Sequence, residues 1–228
     1  LSHCITVGAT RGVDGAYEAI ACAQKYAMVY ATVGVHPQDV SDVDDNVYPI
    51  LEKLSREPKV VAIGECGLDY HYENVSKEAQ FKSLEIQIEL AKQVDLPAMF
   101  HIRDAADDFL QIIDRVGLPR RGGVVHCFTD GRERAEQYIA RGLYLSIPGV
   151  VTFRNAVALR EAIPFIPLNK LLIETDSPYL TPMPYRGKRN EPAMVVHTAA
   201  KIAELLQLDC DTVGNATTEN AVRFFNIK

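Results

Sequence analysis

Val60-Val61-Ala62-Ile63-Gly64-Glu65 runs four apolar residues into a glycine and a carboxylate. A short run of this kind, rich in β-branched side chains, reads as a buried parallel strand. Further on the period changes. From Ser76 to Gln93, Phe81, Leu84, Ile88 and Ala91 recur at helical spacing, and Ser76 is placed to cap the helix. Ala98 to His101 is then apolar again and ends in an imidazole. Strand, helix and strand in this order form the repeating unit of a parallel α/β sheet.

The same alternation extends in both directions. Cys4 to Gly8, Met28 to Val35, Gly123 to Phe128, Leu143 to Ile147 and Lys170 to Thr175 read as further strands. Gly131 to Arg141 is amphipathic and stopped by Gly142, and the tail carries two more helical stretches, Met194 to Leu206 and Thr217 to Phe225. That makes seven strands, one fewer than a closed (β/α)8 barrel. The expected fold class is therefore α/β, a TIM-like barrel whose first strand is absent from this chain. At 228 residues and 47% hydrophobic, residues 1–228 are expected to form a single domain. The Pro-rich stretch from Pro178 to Pro192 reads as a long structured loop within it.

The net charge of −6 excludes the broad basic footprint of a duplex-wrapping protein. It leaves room for a short piece of nucleic acid held through metal and a few local cations. Five cysteines without CxxC spacing read as reduced thiols, which predicts a cytoplasmic protein. No apolar run reaches the roughly 18 residues of a membrane span, and no signal peptide pattern is visible.

In a parallel barrel the reactive groups lie at the C-terminal ends of strands. Glu65, His101 and His126 stand at three such ends; Glu174-Thr175-Asp176 and Gly34-Val35-His36-Pro37 follow two more. One strand-end histidine alone is more often a hydrogen-bonded structural residue. Two histidines and two carboxylates at one barrel mouth instead make a nitrogen and oxygen site suited to divalent metal. Cys66 and Cys127 sit beside ligands. Strand alternation points each to the face opposite its neighbour, so neither is expected to bind metal.

These segments also resemble a known family. Gly34-Val35-His36-Pro37, Gly64-Glu65-Cys66-Gly67-Leu68-Asp69-Tyr70, His101-Ile102-Arg103-Asp104-Ala105, His126-Cys127-Phe128, Glu174-Thr175-Asp176-Ser177-Pro178-Tyr179-Leu180 and Arg186-Gly187-Lys188-Arg189-Asn190-Glu191-Pro192 occur in order. Across essentially the whole chain they resemble the TatD family of metal-dependent deoxyribonucleases, within the amidohydrolase-like barrels. The resemblance implies two divalent metals, with Glu65 bridging them, His101 and His126 both binding one of them, and Asp176 binding metal and orienting or deprotonating the attacking water. The implied reaction is phosphodiester hydrolysis by metal-activated water, often from the 3′ end of single-stranded DNA. Imidazoles favour Zn and carboxylates favour Mg or Mn; the set mixes both. His36, Arg103 and Arg186 are candidates for contacting the substrate phosphate. Arg103 also has Asp104 and Asp69 as candidate partners, and Arg186 is as readily a loop salt bridge. Tyr70 is weighed as a stacking surface for a base against a purely structural role.

One family feature is missing. The H-x-H pair on the family's first strand occurs nowhere in this chain. Ser2-His3-Cys4 is not its substitute, because Ile5-Thr6-Val7-Gly8 matches the family's second strand. A strand and helix preceding Leu1 are expected, since an open barrel would leave unpaired edges. Two other functions compete: a hydrolase of a non-phosphate ester such as a carboxyl ester, lactone or aminoacyl-tRNA, and a non-catalytic protein with an impaired metal site.

Overall fold

The computed structural model describes residues 1–72 and 74–227, with Asp42 described by its backbone alone. The chain forms two compact units. One comprises Ser2–Val124 with Phe224–Ile227; the other comprises Val125–Arg223 with Leu1.

In the first unit the elements run β1 (Cys4–Gly8), α1 (Val13–Lys25), β2 (Val29–Val33), α2 (Val47–Leu54), β3 (Val60–Asp69), α3 (Lys77–Val94), β4 (Ala98–Arg103) and α4 (Ala106–Val116). Strands β1 to β4 neighbour one another in chain order and every pairing is parallel. Burial of the apolar runs is uneven: all of β3 is buried, whereas in β1 only Gly8 is buried and Val7 is exposed. Ser76 caps α3 as its sequence suggests, its hydroxyl accepting the Ala79 N–H at 3.2 Å.

Helix α3 buries polar as well as apolar residues, Gln80 and Gln87 among them. Gln87 accepts the Val35 N–H at 2.8 Å and donates to the Val35 carbonyl at 3.0 Å. Gln80 does the same for Asp69, at 2.7 and 3.0 Å. The two side chains lie two turns apart on one helix face. Each offers a backbone residue the donor and acceptor that a neighbouring strand would supply.

Strand β3 departs from the sequence reading. It does not end at Gly64 but runs on to Asp69, with a shift of register against β4 between Ile63 and Cys66. Glu65 therefore sits inside the strand, at the irregularity, and not at a strand end. Glycine makes the continuation possible: a Cβ on Gly67 would lie 1.9 Å from the His101 carbonyl oxygen. Strand β4 likewise continues two residues past His101, to Arg103.

In the second unit β5 (Gly123–His126) ends at His126, followed by α5 (Arg132–Ala140), β6 (Tyr144–Ile147), α6 (Val157–Ala162), β7 (Leu171–Ile173), α7 (Val195–Leu206) and α8 (Cys210–Phe225). Strands β6 and β7 pair in parallel from Leu145↔Leu171 to Ile147↔Ile173. Beyond β7 the Glu174 N–H still donates to the Ile147 carbonyl at 3.1 Å. Asp176 thus lies in the loop past the strand, with φ 57. Helix α8 starts at Cys210, well before the expected Thr217, because Asp209 caps it by accepting the Thr212 N–H at 2.7 Å. Among the described residues no helix is long and apolar enough to cross a membrane.

Candidate functional site

In the first unit three potential ligands converge. One ligand atom from each of His36, Glu65 and His101 lies within 4.8 Å of the others. Glu65 is 8% exposed, on the irregular part of β3. The imidazole of His101 is bracketed by carboxylates: Nδ1 is 2.8 Å from Glu65 Oε1, and Nε2 is 3.0 Å from Asp69 Oδ2. His36 follows β2 on a loop fixed by its N–H bond to the Ala9 carbonyl. Its ring meets that of His101 edge-on, with centroids 4.6 Å apart. Burial pushes the His36 imidazole below its ordinary range, against the pull of Glu65 and with a further lowering from His101. A neutral imidazole is the form that coordinates metal.

Asp69 is the residue that the sequence left without a site role. It is 2% exposed and held on every side. Its N–H and carbonyl are taken by Gln80, its carbonyl also accepts from Gln38 Nε2 at 3.1 Å, and its Oδ1 accepts the His71 N–H at 2.9 Å. Burial raises its carboxyl pKa, but the hydrogen bonds from His101 and the His71 amide outweigh burial, and the net shift is downward. Asp69 is thus an ionised, immobile partner for the His101 nitrogen that faces away from Glu65.

The second unit repeats the arrangement. His126 Nδ1 is 2.9 Å from Glu174 Oε2, and Nε2 is 3.6 Å from Asp176 Oδ1. Glu174 Oε1 is buried and accepts no hydrogen bond among the described residues. An orphaned carboxylate oxygen beside an imidazole is the environment a divalent cation satisfies. Glu174 stands in the sequence beside Asp176 but entered no predicted site. Cys127 needs a correction. Strand β5 stops at His126 and Cys127 takes a φ of 50, so alternation does not turn it away. Its sulfur lies within 4.8 Å of ligand atoms of His126 and Glu174. Cys66 follows the prediction: it is buried with its thiol against the Met99 carbonyl at 3.6 Å, and burial pushes its pKa up.

The two arginines are exposed. The Arg103 guanidinium lies over the Tyr72 ring at 5.4 Å, and that of Arg186 over Phe153 at 4.3 Å. Among the described residues Arg186 makes this cation–π contact and not the loop salt bridge weighed for it. Tyr70 is unsuited to stacking a base. Its hydroxyl donates to Asp108 at 2.6 Å and the Lys77 ammonium covers its ring at 3.8 Å.

The fold agrees with the comparisons to known proteins. The family model described as TatD related DNase matches residues 1–226. The metal-dependent hydrolase YabD of Bacillus subtilis is 45% identical over 204 residues, 90% of this chain and 80% of that protein. The protein of Citrobacter koseri named 3′-5′ ssDNA/RNA exonuclease TatD is 40% identical over 211 residues, 90% of this chain and 81% of its own length. Among solved structures, the TatD homologue YJJV of Escherichia coli K12 superposes with a TM-score of 0.94 at 30% identity, covering 100% of this chain and 88% of YJJV. With its α/β fold of the TIM-like amidohydrolase kind, this chain belongs to the TatD-related DNase family of metal-dependent hydrolases.

Proposed function

We propose that this chain hydrolyses phosphodiester bonds of single-stranded DNA from the 3′ end, with Glu65, His101, His126 and Asp176 as ligands to a pair of divalent metals. The observation that carries this reading is the double bracketing of imidazoles, Asp69–His101–Glu65 and Glu174–His126–Asp176. In each, one carboxylate would share a metal with the ring while the other fixes the ring's tautomer and direction. When bound, a divalent pair lowers the pKa of water and polarises the phosphoryl oxygen. Asp176 orients the attacking water and takes its proton, and Glu65 holds the ligand set in place. His36, Arg103 and Arg186 balance charge on the phosphate oxygens. Mg, Mn and Zn all suit the mixed donor set. The 40% identical exonuclease relative supports the substrate.

The test is incubation with 5′-end-labelled single-stranded DNA and Mg, Mn or Zn in turn, beside phosphatase and esterase substrates. Stepwise shortening from the 3′ end that stops with EDTA is the expected result. An intact oligonucleotide alongside a hydrolysed carboxyl ester refutes the nuclease reading.

Asp69→Asn tests the orienting role. The amide keeps an acceptor for the His71 N–H but loses the charge beside His101. Metal affinity, measured by titration calorimetry, should fall by roughly 10- to 100-fold while the melting profile stays cooperative. Wild-type affinity in this variant would remove Asp69 from the site.

A further inference from the structure

The loop that follows Asp176 has a composition unlike the rest of the chain. From Ser177 to Asn190 it contains no acidic residue, and Tyr185-Arg186-Gly187-Lys188-Arg189 places three cations in five positions of a protein with net charge −6. Arg186, Lys188 and Arg189 are exposed, and among the described residues none of them pairs with a carboxylate. The Tyr179 ring is 70% exposed. An aromatic ring left this open in a chain that buries most of its large apolar side chains calls for an explanation.

The loop is built and not slack. Asn190 is 2% exposed, and its amide donates to the Thr175 carbonyl at 2.7 Å and the Tyr179 carbonyl at 2.6 Å. Its N–H donates to the Pro178 carbonyl at 3.1 Å, and the Tyr179 N–H donates to the Asp176 carbonyl at 2.9 Å. Thr181, also buried, donates to the Lys188 carbonyl, and the Met183 N–H is held by the Thr152 hydroxyl at 2.8 Å. Buried polar side chains thus fix the backbone while the Tyr179 ring and Arg189 stay exposed and the exposed Lys188 carries its ammonium 5.6 Å from the centre of the Tyr185 ring. The entropy of ordering these segments is already spent before a ligand arrives.

We propose that this loop is a platform for a single-stranded polynucleotide, on which Tyr179 stacks a base while Lys188 and Arg189 take backbone phosphates. Every base has a π-face, so one open tyrosine gives sequence-tolerant affinity. A cluster of cations on an otherwise acidic chain draws a polyanion to this loop and makes its binding salt-dependent. The loop starts directly after Asp176, so a strand lying on it runs up to one of the proposed ligands. The inference rests on the nuclease reading and names the residues that hold its substrate.

Binding is tested without turnover, by fluorescence anisotropy of a labelled oligo-dT with metal removed by EDTA, and in parallel with oligo-U. Tyr179→Ala should weaken binding roughly tenfold, and Tyr179→Phe should restore it. Lys188→Ala with Arg189→Ala should weaken binding and flatten its dependence on salt. Equal losses with oligo-dT and oligo-U identify the shared chemistry, and a loss confined to oligo-dT narrows the ligand to DNA. Wild-type affinity in Tyr179→Ala, or a Tyr179→Phe as weak as the alanine variant, overturns the proposal. If these variants behave as expected but wild-type protein with metal leaves the oligonucleotide intact, the nuclease reading fails and the platform stands.

Discussion

Replacing Glu65 with glutamine is expected to lower metal-dependent hydrolysis by about a thousandfold. The estimate follows from the roughly 4 kcal/mol of transition-state charge stabilisation that a bound divalent ion contributes, at about 1.4 kcal/mol per tenfold in rate. Glutamine matches glutamate in size, so the buried position on β3 stays filled and His101 keeps a hydrogen-bonding neighbour at its Nδ1. What is lost is the negative charge. A neutral amide offers a single oxygen, so it binds a divalent cation more weakly than a carboxylate and lacks the second oxygen for a second cation. Activity and metal stoichiometry should therefore fall together while circular dichroism stays unchanged. A variant retaining a tenth or more of wild-type turnover would show that Glu65 is not a ligand. Under the competing view of a non-catalytic binding protein, the biological effect would survive the substitution.

Gly67→Ala is expected to be the most damaging small change in the first unit. Gly67 has a φ of 150 and faces His101 across the β3–β4 pairing. The added Cβ would meet the His101 carbonyl oxygen at 1.9 Å and its carbonyl carbon at 2.8 Å. These are backbone atoms, so no side chain can swing aside. The strands must part or the backbone must leave its conformation, at a combined cost of about 3–5 kcal/mol. For a chain of this length that is a fall in melting temperature on the order of 10 °C. Since His101 itself is pushed, metal affinity should drop in whatever fraction remains folded. Gly214 is the control: it lies in α8 with nothing within 4 Å, and alanine there should stabilise by about 0.5–1 kcal/mol. Unchanged melting in Gly67→Ala would mean that β3 and β4 do not approach as closely as the structure has them.

The strand nuclei could be read from sequence, and Glu65, His101, His126 and Asp176 stood out as candidates in it, because both depend on short-range pattern. Each strand nucleus is a compact apolar run, and Ser76 announces α3 by a cap that lies within three residues of its partner. What stayed hidden depends on pairs far apart in the chain. Asp69 meets His101 across 32 residues, and Glu174 meets His126 across 48. Nothing local marks either carboxylate as an orienting group. The end of β3 was misread for a related reason. Gly64 and Gly67 look like a strand terminator in isolation, yet they are the residues that let β4 draw close enough to extend the pairing. Cys127 was turned the wrong way because alternation was carried one residue past the strand that imposes it.

The two glutamines of α3 have a consequence for how such a protein can diverge. Gln87 holds the backbone beside His36, and Gln80 holds the backbone of Asp69. The positions of both site residues are thus referred to one helix, in addition to the Ala9 and Gln38 contacts from neighbouring segments. The part of the β2–β3 connection beyond Gln38, such as the stretch from Val43 to Asn46, can therefore lengthen, shorten or change composition without moving His36 or Asp69. A duplicated gene could exchange those loops to take a new substrate while inheriting its reactive geometry intact.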